Sequence, residues 1–196
     1  MKKIAVMFSG GGTDFQALID GQAQGLFDGE IVVSITSNPN AYGRERAKKA
    51  GIDCFVCKKS DFASDVERDK KVVEILQEYG AELVVLAGYL GIVTEPLFEK
   101  YDGRMINIHP ALLPKFGGKG MYGMNVHNAV IAAGEKKSGA TVHYVDRETD
   151  TGEIIIQRAL DVLPTDTPET LQKRILEDIE HPLLVEAVSL LCAKDA

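Results

Sequence analysis

Long apolar runs are missing from this sequence, and we expect no secretory leader. The apolar stretches are far shorter than the ~20 residues that a membrane-spanning helix needs. The first residues, Met1 to Lys3, lead directly into a predicted strand, without the apolar core or the small-residue cleavage site of a signal peptide. We therefore expect a cytoplasmic protein that has no membrane partner.

Cysteine is scarce, with three residues in the chain, and tryptophan is absent. Cys54 and Cys57 form a C-x-x-C pattern, but they fall in a predicted strand, where residues three apart point to opposite faces. Two such cysteines cannot coordinate the same metal ion, and no second C-x-x-C pair follows. The sequence thus predicts reduced, apolar cysteines and no metal site.

A basic cluster is also missing. Acidic residues outnumber Lys and Arg by 29 to 22, and the formal net charge is -7. Short basic pairs such as Lys48–Lys49 and Lys136–Lys137 are too small to form the positive stripe of a nucleic-acid-binding surface. Because an acidic chain repels polyanions, we expect no nucleic-acid partner and expect small-molecule ligands.

The 196 residues have an ordinary globular composition, with 45% hydrophobic and 26% charged residues, and they predict one domain over 1–196. Short apolar strands alternate with helices in the first part of the chain. The predicted strands are 3–8, 30–36, 52–57, 82–87 and 104–108, and the predicted helices are 14–25, 43–50, 62–79 and 94–100. This alternation indicates a doubly wound α/β fold, with a mostly parallel sheet covered by helices on both faces.

The pattern changes in the C-terminal part. A loop over 110–121 and a helix over 122–133 precede two strands, 139–146 and 153–160. We expect these strands to pair as an antiparallel C-terminal extension of the sheet. A last helix begins at Thr167–Pro168 and continues toward 193, with a break near Pro182 because proline lacks the helical hydrogen-bond donor.

The first candidate site is the glycine-rich turn Ser9–Asp14, between the first strand and the first helix. Glycines let an anion approach backbone amides, and a helix N-terminus adds partial positive charge. The turn lacks the Gly-Lys-Ser/Thr of a Walker loop, and Phe15 stands where a dinucleotide fingerprint has its third glycine. The pattern favours a cradle for one phosphate; a glycine turn without a ligand is the alternative.

The second candidate site is Asn107-Ile108-His109-Pro110, at the end of the fifth strand. Asn107 and His109 are two residues apart and therefore share one face of the sheet. An amide can donate a hydrogen bond to a developing oxyanion, and an imidazole can transfer a proton near pH 7. A histidine whose ring is satisfied by backbone groups at a strand end is the alternative.

Asp150 lies in a polar loop, where a carboxylate is usually solvated. It matters for catalysis only if the fold places it beside His109, because a neighbouring carboxylate raises a histidine pKa. His143, on the preceding strand, is either a supporting residue of this site or a buried structural histidine. His127 is expected on a helix surface.

Five motifs, in this order, resemble those of phosphoribosylglycinamide formyltransferases: SGGGTD over Ser9–Asp14, VVLAGY over Val84–Tyr89, NIHPALLP over Asn107–Pro114, GATVH over Gly139–His143 and DTG over Asp150–Gly152. The resemblance implies a Rossmann-like formyltransferase fold, with a phosphate-binding N-terminal half over about 1–100 and a folate-binding, catalytic half over about 101–196. It also implies a reaction without a metal, in which 10-formyltetrahydrofolate gives its formyl group to the amine of phosphoribosylglycinamide in purine synthesis.

The same resemblance implies roles for individual residues. His109 would donate a proton, Asn107 would stabilise the oxyanion, and Asp150 would raise the His109 pKa. The residues implied for substrate binding are Gly12, Thr13, Asp14 and Glu180. The residues implied for folate binding are Leu90, Gly91, Ile92, Val93, Asn107 and Asp146.

The sequence departs from the family pattern in several places. Asp14 replaces a frequent asparagine, which puts a carboxylate beside the implied phosphate. Gly91 and Asp65 stand where some members carry arginine, so folate contacts through those side chains do not carry over. The loop 115–124 is longer than in some members, and its glycines and Lys119 predict a lid.

Several alternatives remain open. A formyltetrahydrofolate hydrolase resembles this catalytic domain but usually carries an N-terminal regulatory domain, whereas the first strand here starts at residue 3. A methionyl-tRNA formyltransferase usually adds a C-terminal nucleic-acid-binding domain. A non-catalytic sensor for a phosphorylated metabolite has no need of Asn107, His109 and Asp150 together. The sequence is also compatible with a homodimer.

Overall fold

The computed structural model describes residues 1–193, and within them the strands form one seven-stranded sheet. The strand order is β3-β2-β1-β4-β5-β6-β7. The strands are β1 Lys2–Phe8, β2 Gly29–Thr36, β3 Cys54–Val56, β4 Leu83–Leu86, β5 Met105–His109, β6 Lys137–Tyr144 and β7 Ile154–Asp161. Strands β1 to β5 are parallel, β6 is antiparallel to β5, and β7 is antiparallel to β6.

Helices cover both faces of this sheet. They are α1 Thr13–Ala23, α2 Gly43–Ala50, α3 Asp65–Glu78, α4 Glu95–Tyr101, α5 Met124–Ala132, α6 Pro168–Ile175 and α7 His181–Ala193. Along β1, Ile4, Val6 and Phe8 pack into one apolar core, and Ala5 and Met7 pack into the other. A central strand that is apolar on both faces needs cover on both. The predicted fold class, doubly wound α/β with an antiparallel C-terminal extension, is confirmed.

The strand order reverses between β1 and β4, which are neighbours in the sheet although β2 and β3 separate them in sequence. In open α/β sheets such a reversal opens a crevice at the carboxyl ends of the strands, where ligands bind. The glycine-rich turn follows β1 at this edge, and Asn107 and His109 lie at the carboxyl end of β5. The topology therefore brings both candidate sites to one edge.

The last helical region breaks ahead of Pro182. Helix α6 ends at Ile175, a π-helical turn covers Leu176–Glu180, and α7 starts at His181. Pro182 cannot donate a backbone hydrogen bond, and its ring would crowd a carbonyl of the preceding turn in a regular helix. The wider π turn accommodates that conflict, and it also sets the direction of the Glu180 side chain.

The two cysteines of the C-x-x-C pattern contact opposite faces of the sheet, as predicted. Cys54 packs against the core that contains Ile4, whereas Cys57 belongs to the core that contains Met7. Over residues 1–193, no group of three or more His, Cys, Asp or Glu side chains is placed to hold a metal ion. None of the helices in the same range has the length and apolar character needed to cross a membrane.

Candidate functional site

His109 lies at the end of β5 and is only 4% exposed. Its Nε2 is 2.7 Å from the carbonyl oxygen of Phe116, which can only accept, so Nε2 carries a hydrogen. The other ring nitrogen, Nδ1, is 3.5 Å from Oδ2 of Asp150. The neutral ring therefore turns a lone pair toward a carboxylate, and a proton on Nδ1 converts that contact into an ion pair.

Opposing effects set the His109 pKa. Burial disfavours the charged ring and is the largest effect, whereas Asp150 and the Phe116 carbonyl favour the charged ring. The net result is a pKa below the ordinary histidine value. Asp150 thus acts in the predicted direction, but sequence reasoning missed that burial outweighs it.

Asp150 reaches this cluster because of two backbone features of the loop between β6 and β7. Asp150 itself has a left-handed φ of 60°. At Gly152, a Cβ would lie 1.8 Å from the carbonyl oxygen of Tyr144, so the loop passes the end of β6 only with glycine there. The Asp150 side chain is 9% exposed, and its Oδ2 accepts a hydrogen bond from the Gly118 amide at 3.0 Å. Burial acts to raise its pKa, but neighbouring histidines and this amide outweigh burial, so the net pKa is lowered.

His143 joins the cluster from β6, where it pairs with Asn107 across the sheet. Its Nδ1 donates to the carbonyl of Tyr144 at 2.8 Å, which leaves Nε2 as the acceptor of the neutral ring. Nε2 accepts a hydrogen bond from Asn107 Nδ2 at 3.1 Å and lies 3.6 Å from Asp150 Oδ1. Of the two roles that the sequence left open, the geometry favours a supporting residue that orients the Asn107 amide.

The expectation that His127 lies on a helix surface is wrong. His127 is on α5 but is 1% exposed, and it is near enough to His109 for the His109 ring to disfavour charge on it. Burial lowers its pKa to about 4, so it is neutral at pH 7. The sequence around a single histidine in a helical segment does not indicate whether that histidine faces solvent or the core.

The glycine-rich turn forms an open helix N-terminus. Gly12, the N-cap residue before Thr13 of α1, has a φ of 69° and has no side chain that could cap the first-turn amides. A Cβ at Gly12 would lie 2.8 Å from the Cα of Gly43, so α2 packs directly on the turn. From α2, Arg46 donates through Nε to the Gly11 carbonyl at 2.8 Å. Sequence reasoning missed Arg46, because an arginine on a polar helix normally indicates a solvent-exposed side chain.

Asp14 and Glu180, both predicted to contact substrate, meet beside this turn. Asp14 is on α1 and Glu180 ends the π-helical turn, and they are 8% and 7% exposed. The carboxyl groups are within hydrogen-bonding reach of each other. Burial raises the pKa of Asp14 to about 7 and raises the pKa of Glu180 well above its usual range.

The predicted folate segment 90–93 follows β4 and exposes apolar side chains. Leu90 and Ile92 are each 64% exposed. Ser9, in the glycine-rich turn, accepts a hydrogen bond from the Leu90 amide at 2.8 Å, and its hydroxyl is 2.6 Å from that of Ser37. The predicted folate segment and the predicted phosphate turn are thereby joined by a direct hydrogen bond.

Arg68 and Asp69 fasten the other end of this segment from α3. The two side chains are 2% and 0% exposed, and Arg68 Nη2 is 2.8 Å from Asp69 Oδ1. Arg68 also donates to the carbonyl of Ile92, and Asp69 Oδ2 accepts from both the amide and the hydroxyl of Thr94, each at 2.7 Å. Sequence reasoning missed this ion pair, since charges of alternating sign on a helix normally indicate a solvated face.

Arg68→Met is expected to destabilise the protein by about 3–5 kcal/mol, because it leaves the Asp69 carboxylate buried without its cation. Lys70→Met on the same helix is the matched control. It removes an ion pair with Glu67 whose side chains are 57% and 50% exposed, and solvent screening leaves such exposed pairs little effect on stability. Urea unfolding measures both losses. Equal losses would show that the Arg68–Asp69 pair does not act as a buried anchor.

Asp146 shapes the loop that carries Asp150. Its carboxylate accepts hydrogen bonds from the Thr151 hydroxyl at 2.8 Å and from the Glu148 amide at 3.2 Å. A cavity of about 300 Å³ lies between this loop and residues 113–118. A ligand in that cavity would contact the Asp150 side of the cluster.

Known proteins resemble this chain over nearly all of its length. The family model described as formyl transferase matches residues 2–188. The chain is 43% identical to a chloroplastic phosphoribosylglycinamide formyltransferase of Arabidopsis thaliana over 97% of this chain, and 38% identical to the phosphoribosylglycinamide formyltransferase of Haemophilus influenzae over 95% of it. It spans 65% of the length of the plant protein and 86% of the length of the bacterial one.

Solved structures show the same architecture. A glycinamide ribonucleotide transformylase from Symbiobacterium toebii matches with a TM-score of 0.93 at 39% identity, covering 99% of this chain and 89% of that one. A phosphoribosylglycinamide formyltransferase from Bacillus halodurans matches with a TM-score of 0.92 at 36% identity, covering 100% and 97% of the two chains. Sheet topology, motif positions and the family match over residues 2–188 therefore agree, and the chain belongs to the formyl transferase family.

Proposed function

We propose that the protein transfers a formyl group from 10-formyltetrahydrofolate to the amine of phosphoribosylglycinamide, a step of purine biosynthesis. The observation that carries the proposal is the cluster of Asn107, His109 and Asp150, linked by His143 at the sheet edge that also holds the glycine-rich turn. Relatives named for this activity match the chain over 97% and 95% of its length, which supports the same conclusion.

The cluster supplies what attack by an amine on a formyl group requires. The amine nitrogen bonds to the formyl carbon, and the formyl oxygen gains negative charge. The Asn107 amide, oriented by His143, donates a hydrogen bond to that oxygen, a kind of contact worth about 3–4 kcal/mol in other enzymes. The bond between the formyl carbon and the folate nitrogen then breaks. His109, assisted by Asp150, donates a proton to the leaving folate nitrogen and regains the proton that the amine loses.

His109 must change its hydrogen-bond partner to act on a substrate. Its Nε2 hydrogen is donated to the Phe116 carbonyl at 2.7 Å, so a reacting atom has to take the place of that carbonyl. Phe116 belongs to the loop 115–124, the predicted lid, and has a left-handed φ of 56°. The proposal therefore includes movement of this loop when the reactants bind.

The glycine-rich turn is the proposed phosphate site. Gly12 and Thr13 offer backbone amides at a helix N-terminus, and Arg46 adds a cation close by. Asp14 and Glu180 lie beside the turn, and we propose that they contact the sugar that carries the phosphate.

The proposed folate site extends from the segment after β4 to the loop after β6. The exposed side chains of Leu90 and Ile92 offer apolar surface to a planar ring. The residues proposed for this site are Leu90, Gly91, Ile92, Val93, Asn107 and Asp146.

Other expectations from the sequence are part of the proposal. We propose one domain over 1–196 that acts in the cytoplasm on small molecules, with no metal and no nucleic-acid partner, and that can form a homodimer. The plant relative carries the word chloroplastic in its name.

Incubation with 10-formyltetrahydrofolate, with and without the ribotide amine, tests the proposed function. We expect tetrahydrofolate to be released only when the amine is present, in equal amount to the formylated ribotide. Release without the amine would support a formyltetrahydrofolate hydrolase. No release under either condition would support a sensor. Each of the last two results contradicts the transferase.

A further inference from the structure

Asp14 and Glu180 form a buried pair of acids that lacks a strong cationic partner among the described residues. The side chains are 8% and 7% exposed, and the carboxyl groups are within hydrogen-bonding reach of each other. His181 Nε2 is 3.8 Å from Asp14 Oδ1, which is beyond hydrogen-bond distance. Two adjacent buried carboxylates cannot both ionise without strong repulsion and loss of solvation.

We propose that Asp14 and Glu180 share one proton at neutral pH, and that this singly protonated pair, not the dianion, binds the sugar of the substrate. The proposal rests on the proposed function, because the sugar phosphate is the ligand assigned to this turn. Within the pair, Glu180 carries the proton and donates it in a hydrogen bond to Asp14. Burial and the neighbouring Asp14 carboxylate both favour the protonated form of Glu180.

An oxygen without a partner points to a ligand at this place. Asp14 Oδ1 is buried and accepts no hydrogen bond from any residue in 1–193, and His181 Nε2 is likewise without one. Such groups destabilise a folded protein until a partner arrives. A vicinal diol suits the site, because its hydroxyls can donate to Asp14 Oδ1 and to the other free lone pairs of the acid pair, whose single proton is already donated within the pair.

The shared proton also explains why an acidic side chain is tolerated next to the proposed phosphate site. Asp14 lies in the first turn of α1, whose N-terminal amides have no side-chain cap. A phosphate monoester there is close to a dianion at neutral pH, and a doubly ionised acid pair would repel it. With one proton shared, the pair carries one negative charge instead of two, and Arg46 donates a hydrogen bond to the Gly11 carbonyl in the same turn.

The titratable and charged groups around this pair come from three parts of the fold. Arg46 comes from α2, Asp14 from α1, and Glu177, Glu180 and His181 from the C-terminal helical region. Burial lowers the pKa of His181, with Glu177 opposing and Arg46 reinforcing that change. Burial thus favours the uncharged His181 ring, and a change in binding with pH that Asp14→Asn removes is assigned to the acid pair.

Asp14→Asn tests the proposal, because it keeps the shape of the side chain but removes the carboxylate that accepts the shared proton. The measurement is kcat/KM for the ribotide from pH 6 to 9, with folate saturating, and the ratio of wild type to variant cancels titration of the substrate. We expect that ratio to rise ~10-fold over this range, because Asp14 loses its own proton as the pH passes about 7 and the pair then reaches the singly protonated form that binds the sugar. A ratio that does not change with pH overturns the proposal.

Asp20→Asn is the matched control, because Asp20 is an exposed acid on the same helix, bonded to Gln16 Nε2 at 2.9 Å. The ratio of wild type to this variant is expected to stay constant with pH. A rise as steep as that for Asp14→Asn would mean that the pH effect does not belong to the buried pair, and would overturn the proposal.

A ligand-free measurement separates this proposal from the proposed function. A group whose pKa is raised by folding stabilises the protein at low pH, and this contribution is lost as the pH rises from the unfolded value toward the folded value of about 7. We expect the urea midpoint of wild type, relative to Asp14→Asn, to fall between pH 5 and 8. A constant difference overturns the shared proton. A falling midpoint without any formyl transfer supports the shared proton and refutes the proposed substrate.

Discussion

Replacing His109 by alanine is expected to lower kcat for formyl transfer by at least ~10²-fold while the protein stays folded. His109 turns Nδ1 toward the buried Asp150 carboxylate and carries a hydrogen on Nε2. Another buried ring close by, His127, has a pKa lowered to about 4 by burial, so it cannot take over proton transfer near pH 7. Steady-state kinetics with both reactants saturating measure the loss.

His109→Gln separates proton transfer from hydrogen bonding, since glutamine donates a hydrogen bond but does not titrate near pH 7. We expect it to be as inactive as the alanine variant. Activity within tenfold of wild type would show that the ring acts only as a hydrogen-bond donor. Urea unfolding of both variants checks that the loss is not a loss of folding.

Asp150→Asn is expected to lower kcat by at least ~10²-fold and to lower the His109 pKa further. Burial is already the largest influence on that pKa, and without the carboxylate only the Phe116 carbonyl opposes it. The protonated fraction of His109 at pH 7 therefore decreases. An NMR titration of the His109 ring measures the pKa directly, and the pH profile of kcat reports its effect on turnover.

Glu148→Gln is the matched control for Asp150→Asn. Glu148 is an exposed acid in the same loop, and its hydrogen bond to Asp146 comes from its backbone amide, which the substitution keeps. We expect an unchanged His109 pKa in this control. If the His109 pKa is also unchanged in Asp150→Asn, the carboxylate does not act on the ring and its assigned role is incorrect.

Much of the fold was predictable because its signals are local. The apolar run that forms β1 Lys2–Phe8 and the glycines that follow it identify a buried strand and a turn within a few residues of sequence. The spacing of Asn107 and His109 predicted one shared face, and both lie at the expected edge. His109 fits both interpretations of its motif, because a backbone carbonyl satisfies Nε2 while Nδ1 faces an acid.

The parts that were missed depend on contacts between distant segments. His143 orients Asn107 only because the β5–β6 register places them opposite each other, and no local pattern encodes that register. Arg68 and Arg46 resemble solvated helix residues until packing of α3 and α2 shows what covers them. The buried acid pair likewise needs the π-helical turn to bring Glu180 back to α1.

A crystal structure with the ribotide and a stable analogue of 10-formyltetrahydrofolate tests the catalytic cluster most directly. We predict that the atom replacing the formyl carbon lies within ~3.5 Å of the bound amine. Asn107 and the His109 ring should be in hydrogen-bonding contact with the group that replaces the formyl oxygen, and the Phe116 carbonyl should be displaced from Nε2. Both reactants bound away from Asn107, with His109 still bonded to Phe116, would contradict the assignment of this cluster as the site of transfer.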